Sequence, residues 1–151
     1  MDVIGCRLYN SSVPVKTETF SIQTQGHNDI LDVTSEVQAA VKRSDFQAGT
    51  ANVFVPGSTA GLTTVEFEPG LVKDLEEAFE KIAPAGKDYH HHATWGDDNG
   101  NSHVRASLLG PGITVPFTAG RLILGTWQQV ILVDFDTRPR KREIVVQLIG
   151  E

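Results

Sequence analysis

The sequence predicts an α+β domain, and three observations carry that expectation. The chain has 151 residues, about one domain by length. Its element order reads strand, helix, two strands, helix, short helix and then several strands. The links between neighbouring strands are short, which favours antiparallel pairing over a doubly wound parallel sheet. No repeat, low-complexity tract or linker divides the chain, so residues 1–151 are expected to form one domain with two main helices and one short helix. A chain of this size hides roughly 70% of its unfolded surface, enough for a real core.

Each element has a local reason. In segment 16–24, Phe20 and Ile22 alternate with polar neighbours, the pattern of a half-exposed strand. Asp32 or Thr34 can cap a helix that carries its apolar stripe on Val33, Val37 and Val41 and ends near Ser44. Residues 51–55 read as a buried strand stopped by Pro56-Gly57, and residues 62–67 as a second strand after the loop 57–61. Pro69 suits the first turn of the clearest helix and Pro84 stops it. Leu71, Leu75, Phe79 and Ile82 form its apolar stripe, while Asp74, Glu76, Glu77 and Glu80 read as its solvated face. Asn101-Ser102 can cap a short helix to about Leu109, with Gly110 beyond its end. Ile113, Val115 and Phe117 then alternate, and segments 122–124, 130–135 and 144–149 are apolar and β-branched. Residues 118–121 suit a hairpin turn, and the basic run 138–142 reads as a solvated turn before the last strand.

Composition excludes several functions. Thirteen basic residues against nineteen acidic ones leave a net charge of −6, which repels phosphate backbones and argues against nucleic-acid binding. A hydrophobic fraction of 40% and a charged fraction of 21% are those of a soluble globule rather than a disordered chain. Cys6 is the single cysteine, so no internal disulfide or cysteine zinc knuckle can form. No apolar run approaches the length of a membrane span. Met1 to Tyr9 lacks a basic start followed by a long apolar stretch, so a cytoplasmic protein is expected. The oddity is histidine: four of the five lie between His90 and His103.

Imidazole is both a common metal ligand and the acid or base matched to neutral pH. Read as an extended segment, His90 and His92 share one face and His91 the other. His103 falls in the first turn of the short helix, and Ser107, four residues on, projects from the same side. A site can therefore combine one or two of the three consecutive histidines with His103, although clustered loop histidines are also often plain exposed polar residues. In the loop 56–61, two glycines with Ser58 and Thr59 can turn amides and hydroxyls toward a phosphate, or simply make a hairpin turn. Glu66 on the following strand can act as a base or metal ligand, or face water. Asp97, Asp98 and Asn99 suit a turn or a hard cation. Gly125 suggests a bulge, and Trp127 beside Gln128 can stack on a flat ligand or serve core or interface packing.

Taken together, His103 to Gly110, Thr114-Val115-Pro116, Gly120-Arg121-Leu122 and Leu124-Gly125-Thr126-Trp127-Gln128 resemble the signature of the YjbQ family, also called the secondary thiamine-phosphate synthase family. The loop 56–61, Glu66, Tyr89-His90-His91 and Arg138-Pro139-Arg140 fall in the expected order around it, so the resemblance spans about residues 16–149. It implies antiparallel, sandwich-like sheets assembled as a homotrimer. It implies catalytic roles for His103, Ser107, Gln128 and Glu66, substrate or phosphate contacts from Ser58, Thr59, Gly61 and Trp127, and a divalent metal, zinc or magnesium, on His90, His91 and His103. His90 and His91 compete for the second histidine position, and His92 is read as a bystander. Many relatives carry a histidine where this chain has Gly57. The implied activity is a weak thiamine-phosphate synthase reaction on phosphorylated small molecules, for which a cation and donors on the leaving diphosphate are needed. The alternatives are a non-catalytic small-ligand binder, and a structural subunit with Trp127 and the C-terminal strands at the trimer interface.

Overall fold

The apolar run near the C-terminus is unbroken because its strand is covered on both faces. The computed structural model describes residues 13–151, and in it Val130, Ile131, Leu132 and Val133 are all fully buried. Val130 and Leu132 face one hydrophobic cluster, while Ile131, Val133 and the following Phe135 face another. A strand buried on one side only would alternate with polar residues. Cys6 and the reading of Met1 to Tyr9 lie outside the described residues.

The elements run β1 Val15–Thr24, β2 Asp29–Asp32, α1 Thr34–Ser44, β3 Ala48–Phe54, β4 Ala60–Val65, α2 Pro69–Ile82, α3 His90–Trp95, α4 Gly100–Leu109, β5 Gly112–Thr118, β6 Arg121–Leu122, β7 Gln129–Asp134 and β8 Arg140–Gly150. They build a five-stranded sheet, β1-β8-β3-β5-β6, and a three-stranded sheet, β2-β7-β4. Every pairing is antiparallel. The two sheets enclose the larger cluster with Val33, Val37 and Val41 of α1, the stripe expected from the spacing. On the far face of the small sheet, Val72, Leu75 and Phe79 of α2 and Ala106 and Leu109 of α4 cover Ile131, Val133 and Phe135. Phe79 meets Phe135 edge to face, with ring centres 4.8 Å apart. The fold is thus α+β, with curled antiparallel sheets and, among the described residues, four helices.

The differences from expectation have local causes. His90–His92 lie on a helix, α3, not in an extended segment, and α3 closes at Gly96 with φ 69°. The strand at Asp29–Asp32 was not expected; it pairs with β7 from Asp29↔Asp134 to Asp32↔Ile131. Strand β4 ends at Val65, so Glu66 follows the strand. Ile82, the last residue of α2, is 62% exposed and takes no part in the cluster that Val72, Leu75 and Phe79 join. The last strand starts at Arg140, so part of the basic run is sheet, not turn.

Two anchors fix α4, the helix that carries His103, on the small sheet. Near its start, the buried Ser102 hydroxyl donates to the Phe135 carbonyl at 2.5 Å. At its end, the Leu62 amide donates to the Gly110 carbonyl at 3.0 Å. Gly61 lies under that end; a Cβ there would stand 2.7 Å from the Gly110 oxygen and 2.9 Å from Leu109 Cδ2. Only a residue without a side chain lets helix and strand come this close.

Candidate functional site

Helix α4 turns about 100° per residue, so His103 and Ser107 share a face. That face looks across a cleft of about 220 Å³ at Gly57, Ser58 and Ala60, with Pro111 at one end. His103 is half-buried and Ser107 is exposed. The Ser107 hydroxyl donates to the His103 carbonyl at 2.7 Å, which leaves its oxygen lone pairs toward solvent.

The three consecutive histidines now separate. His90 is exposed. His91 packs its ring against His103, with centres 4.5 Å apart, and its Nε2 lies 3.4 Å from Asp97 Oδ1. His92 stands outside the cleft and braces the fold: its Nε2 accepts from the Gly100 amide at 3.4 Å, in the first turn of α4. Tyr89 and α3 press so closely on this turn that a Cβ at Gly100 would stand 2.6 Å from Tyr89 Cβ. Asn99, at the cap position, makes no side-chain cap bond, and its Oδ1 is buried without a partner among the described residues.

Beneath the loop 57–61 lies a buried charge network that the sequence reading missed. Arg142 clasps Asp134 through Nε and Nη2, both at 2.7 Å, and Nη2 also donates to the Thr59 hydroxyl at 2.8 Å. Thr59 donates to Asp136 at 3.0 Å, Arg140 donates to Asp136 at 2.8 Å, and Thr24 donates to Asp134 at 2.6 Å. Burial pushes the Asp136 carboxyl up, but the hydrogen bonds from Arg140 and Thr59 and the charges of Arg140 and Arg142 outweigh it and hold the group below the usual carboxylate value. The signal was present as two period-two pairs, Asp134/Asp136 and Arg140/Arg142, on adjoining strand ends.

Other expected site residues are placed apart from the cleft. Thr59 is buried in the network, so its hydroxyl is committed to protein partners. Gly61 serves close packing. Gln128 ties its own loop to β4, donating to Thr64 Oγ1 at 2.8 Å and accepting from the Gly125 amide at 3.0 Å. Trp127 is 70% exposed, and Glu66 is also exposed. The acidic face of α2 is not wholly solvated either: Glu80 pairs with the buried Arg105, Nη2 to Oε2 2.5 Å.

Residues 18–151 match the family model described as UPF0047 protein, YjbQ-like. A UPF0047 protein from Archaeoglobus fulgidus is 36% identical over 85% of this chain and 98% of its own length. The UPF0047 protein YugU from Bacillus subtilis is 31% identical over 88% and 98%. Among solved structures, a YbjQ-like protein of unknown function from Sulfolobus solfataricus superposes with a TM-score of 0.86 at 29% identity, covering 93% of this chain and all of that one. An uncharacterised conserved protein of the YjbQ/UPF0047 family from Clostridium acetobutylicum gives 0.80 at 32% identity, over 87% and 99%.

These findings correct the expected activity. The relatives bear only the family designation, and the Sulfolobus protein is described as one of unknown function, so the thiamine-phosphate synthase and transferase expectation has no support in them. The metal-binding expectation on His90, His91 and His103 falls with it. Among the described residues, no three His, Cys, Asp or Glu side chains gather as a metal site requires. The physical reason is the α3 helix: it points His90 to solvent and gives His92 to the α4 backbone.

Proposed function

The chain belongs to the UPF0047 family of YjbQ-like proteins, and on that basis we propose that the cleft between the loop 57–61 and α4 binds a small phosphate-bearing molecule. One observation carries the proposal: Ser58, His103 and Ser107 converge on a single cleft of about 220 Å³. Supporting it, the amides of Gly57 and Ser58 donate to no backbone carbonyl among the described residues. Gly57 has φ 139°, a conformation that glycine adopts freely. Loop amides free of backbone acceptors, hydroxyls and an imidazole near a helix N-terminus favour an anion. The space that a Cβ at Gly57 would fill lies 3.4 Å from Arg142 Nη1, so the floor of the loop adds a guanidinium edge. That floor is charge-balanced, two arginines against two aspartates, and does not repel an anion. The net charge of −6 opposes long-range attraction, so affinity comes from these short-range donors. The proposal concerns recognition; no turnover is part of it.

Titration of inorganic phosphate into the nitrogen-15-labelled protein tests this. Saturable shifts at the amides of Gly57, Ser58 and His103 are expected. His103→Ala should weaken them about tenfold or more, since a hydrogen bond to a charged group contributes about 1.5–3 kcal/mol. Diffuse, unsaturated shifts, or equal affinity in the variant, would overturn it.

Leu108 is 63% exposed, like Trp127 an unusually open large apolar residue, and we propose that both are covered in a homotrimer. Sedimentation equilibrium should return three copies; a monomer at micromolar concentration would refute the assembly. Among the described residues no helix is long and apolar enough to cross a membrane. A cytoplasmic location completes the proposal and is checked by cell fractionation.

A further inference from the structure

A second and larger cavity, about 540 Å³, opens on the other side of α4. Asn101 and Arg105 share that side, about 200° around the helix from His103 and Ser107. We infer that this cavity binds a small neutral polyhydroxylated molecule, of the pentose or hexose class.

The first observation is Asn101. It is only 7% exposed, yet it lines the cavity, and its amide is not among the buried side-chain groups left without a partner. The small exposed part of Asn101 is therefore its amide, which opens on the cavity and is available to a ligand there. The second is the turn before β2. Gly26, His27 and Asn28 adopt φ of 74°, 55° and 66° in succession, a left-handed run in which the two non-glycine residues are strained. Close contact holds it there: a Cβ at Gly26 would stand 2.5 Å from the Asp136 carbonyl, and His27 N donates to that same carbonyl at 2.8 Å. The run sets Asn28 Oδ1 on Arg105 Nη1 at 2.7 Å and brings His27 and Asn28 to the cavity wall.

Charge then selects the ligand class. Arg105 is buried and committed to Ala83, Asn28 and Glu80, so its charge is neutralised inside the protein. Asp98, exposed at the cavity, has no ion pair among the described residues, so an anion is repelled. Cation coordination fails for want of ligands: Glu80 already accepts from Arg105 and from the Ala85 amide, which leaves Asp98 as the single unengaged carboxylate. What remains is a wall of amide, carboxylate and imidazole groups with the Thr137 hydroxyl. Together they offer both donors and acceptors, which matches adjacent hydroxyls that do both. The volume lies within the range of small-molecule sites, about 300–1,000 Å³.

The test is titration of D-ribose, D-glucose and, separately, inorganic phosphate into the labelled full chain. One sugar should shift the amides of Ala85, Gly86 and Asn101 and the side-chain amides of Asn28 and Asn101, and leave Gly57 and Ser58 unmoved. Asn101→Ala and the exposed-site variant Asp98→Ala should each weaken this about five- to tenfold. The inference is overturned if neither sugar moves these signals, if phosphate moves them instead, or if both variants bind the sugar as the native chain does. Failure at Gly57 and Ser58 with phosphate bears on the other cleft alone.

Discussion

Arg142→Met removes the centre of the buried network. Three hydrogen bonds are lost, two to Asp134 and one to Thr59. Asp134 is fully buried, so its carboxyl is left in the interior with no guanidinium against it. Breaking a buried pair in this way costs about 3–5 kcal/mol, against the 5–15 kcal/mol total of an ordinary domain. With a urea dependence of about 2 kcal/mol per molar, the unfolding midpoint should fall by about 2 M with little change of slope. The comparison is made at one protein concentration, because assembly shifts apparent stability. Adding Asp134→Asn to Arg142→Met removes the stranded carboxyl while keeping the side-chain shape, and should restore part of the loss, with a coupling of at least about 1 kcal/mol. A loss below about 1 kcal/mol for Arg142→Met, the size of an exposed ion pair, would refute the view that this network holds the loop 57–61 from below.

Three further outcomes follow from the same geometry. Because the Asp136 carboxyl is held below its ordinary value in the folded state, its contribution is fully present above the unfolded value of about pH 4 and is lost as pH falls through the folded value; thermal melts of the native chain and of Asp136→Asn should therefore converge in acid and separate near neutrality. Gly61→Ala forces a methyl group against the Gly110 carbonyl and Leu109, and should destabilise by about 1–3 kcal/mol in chemical denaturation. Gln128→Ala removes two exposed hydrogen bonds of the 125–128 loop and should cost about 1 kcal/mol while leaving phosphate affinity unchanged, as read by calorimetry beside the denaturation curve.

Much of the fold was legible because burial writes itself into local patterns. The α1 stripe of Val33, Val37 and Val41 and the run 130–133 are apolar at the spacing their burial demands. Strand β2 was not legible: four residues with Asp29 and Asp32 at its ends carry no apolar alternation, and β7 supplies its order from about a hundred residues away. The helical character of His90–His92 depended on Gly96, whose left-handed cap was the available signal. At the cleft, the four-residue spacing of His103 and Ser107 foretold their common face, and Ser58 met them there. Gln128 and Trp127 carry the most recognisable local sequence, yet their loop is held to β4 at Thr64, away from that cleft. The Arg105–Asn28 contact spans 77 residues and leaves no trace in either neighbourhood.

The central claim is that the cleft between the loop 57–61 and α4 recognises a phosphate group. A crystal structure of the protein grown with inorganic phosphate tests it most directly. The account predicts tetrahedral density within hydrogen-bonding distance of the Ser58 amide or hydroxyl and the His103 ring, and its disappearance in His103→Ala crystals grown the same way. Density confined to other surfaces, or an unchanged peak in the His103→Ala crystals, would contradict it.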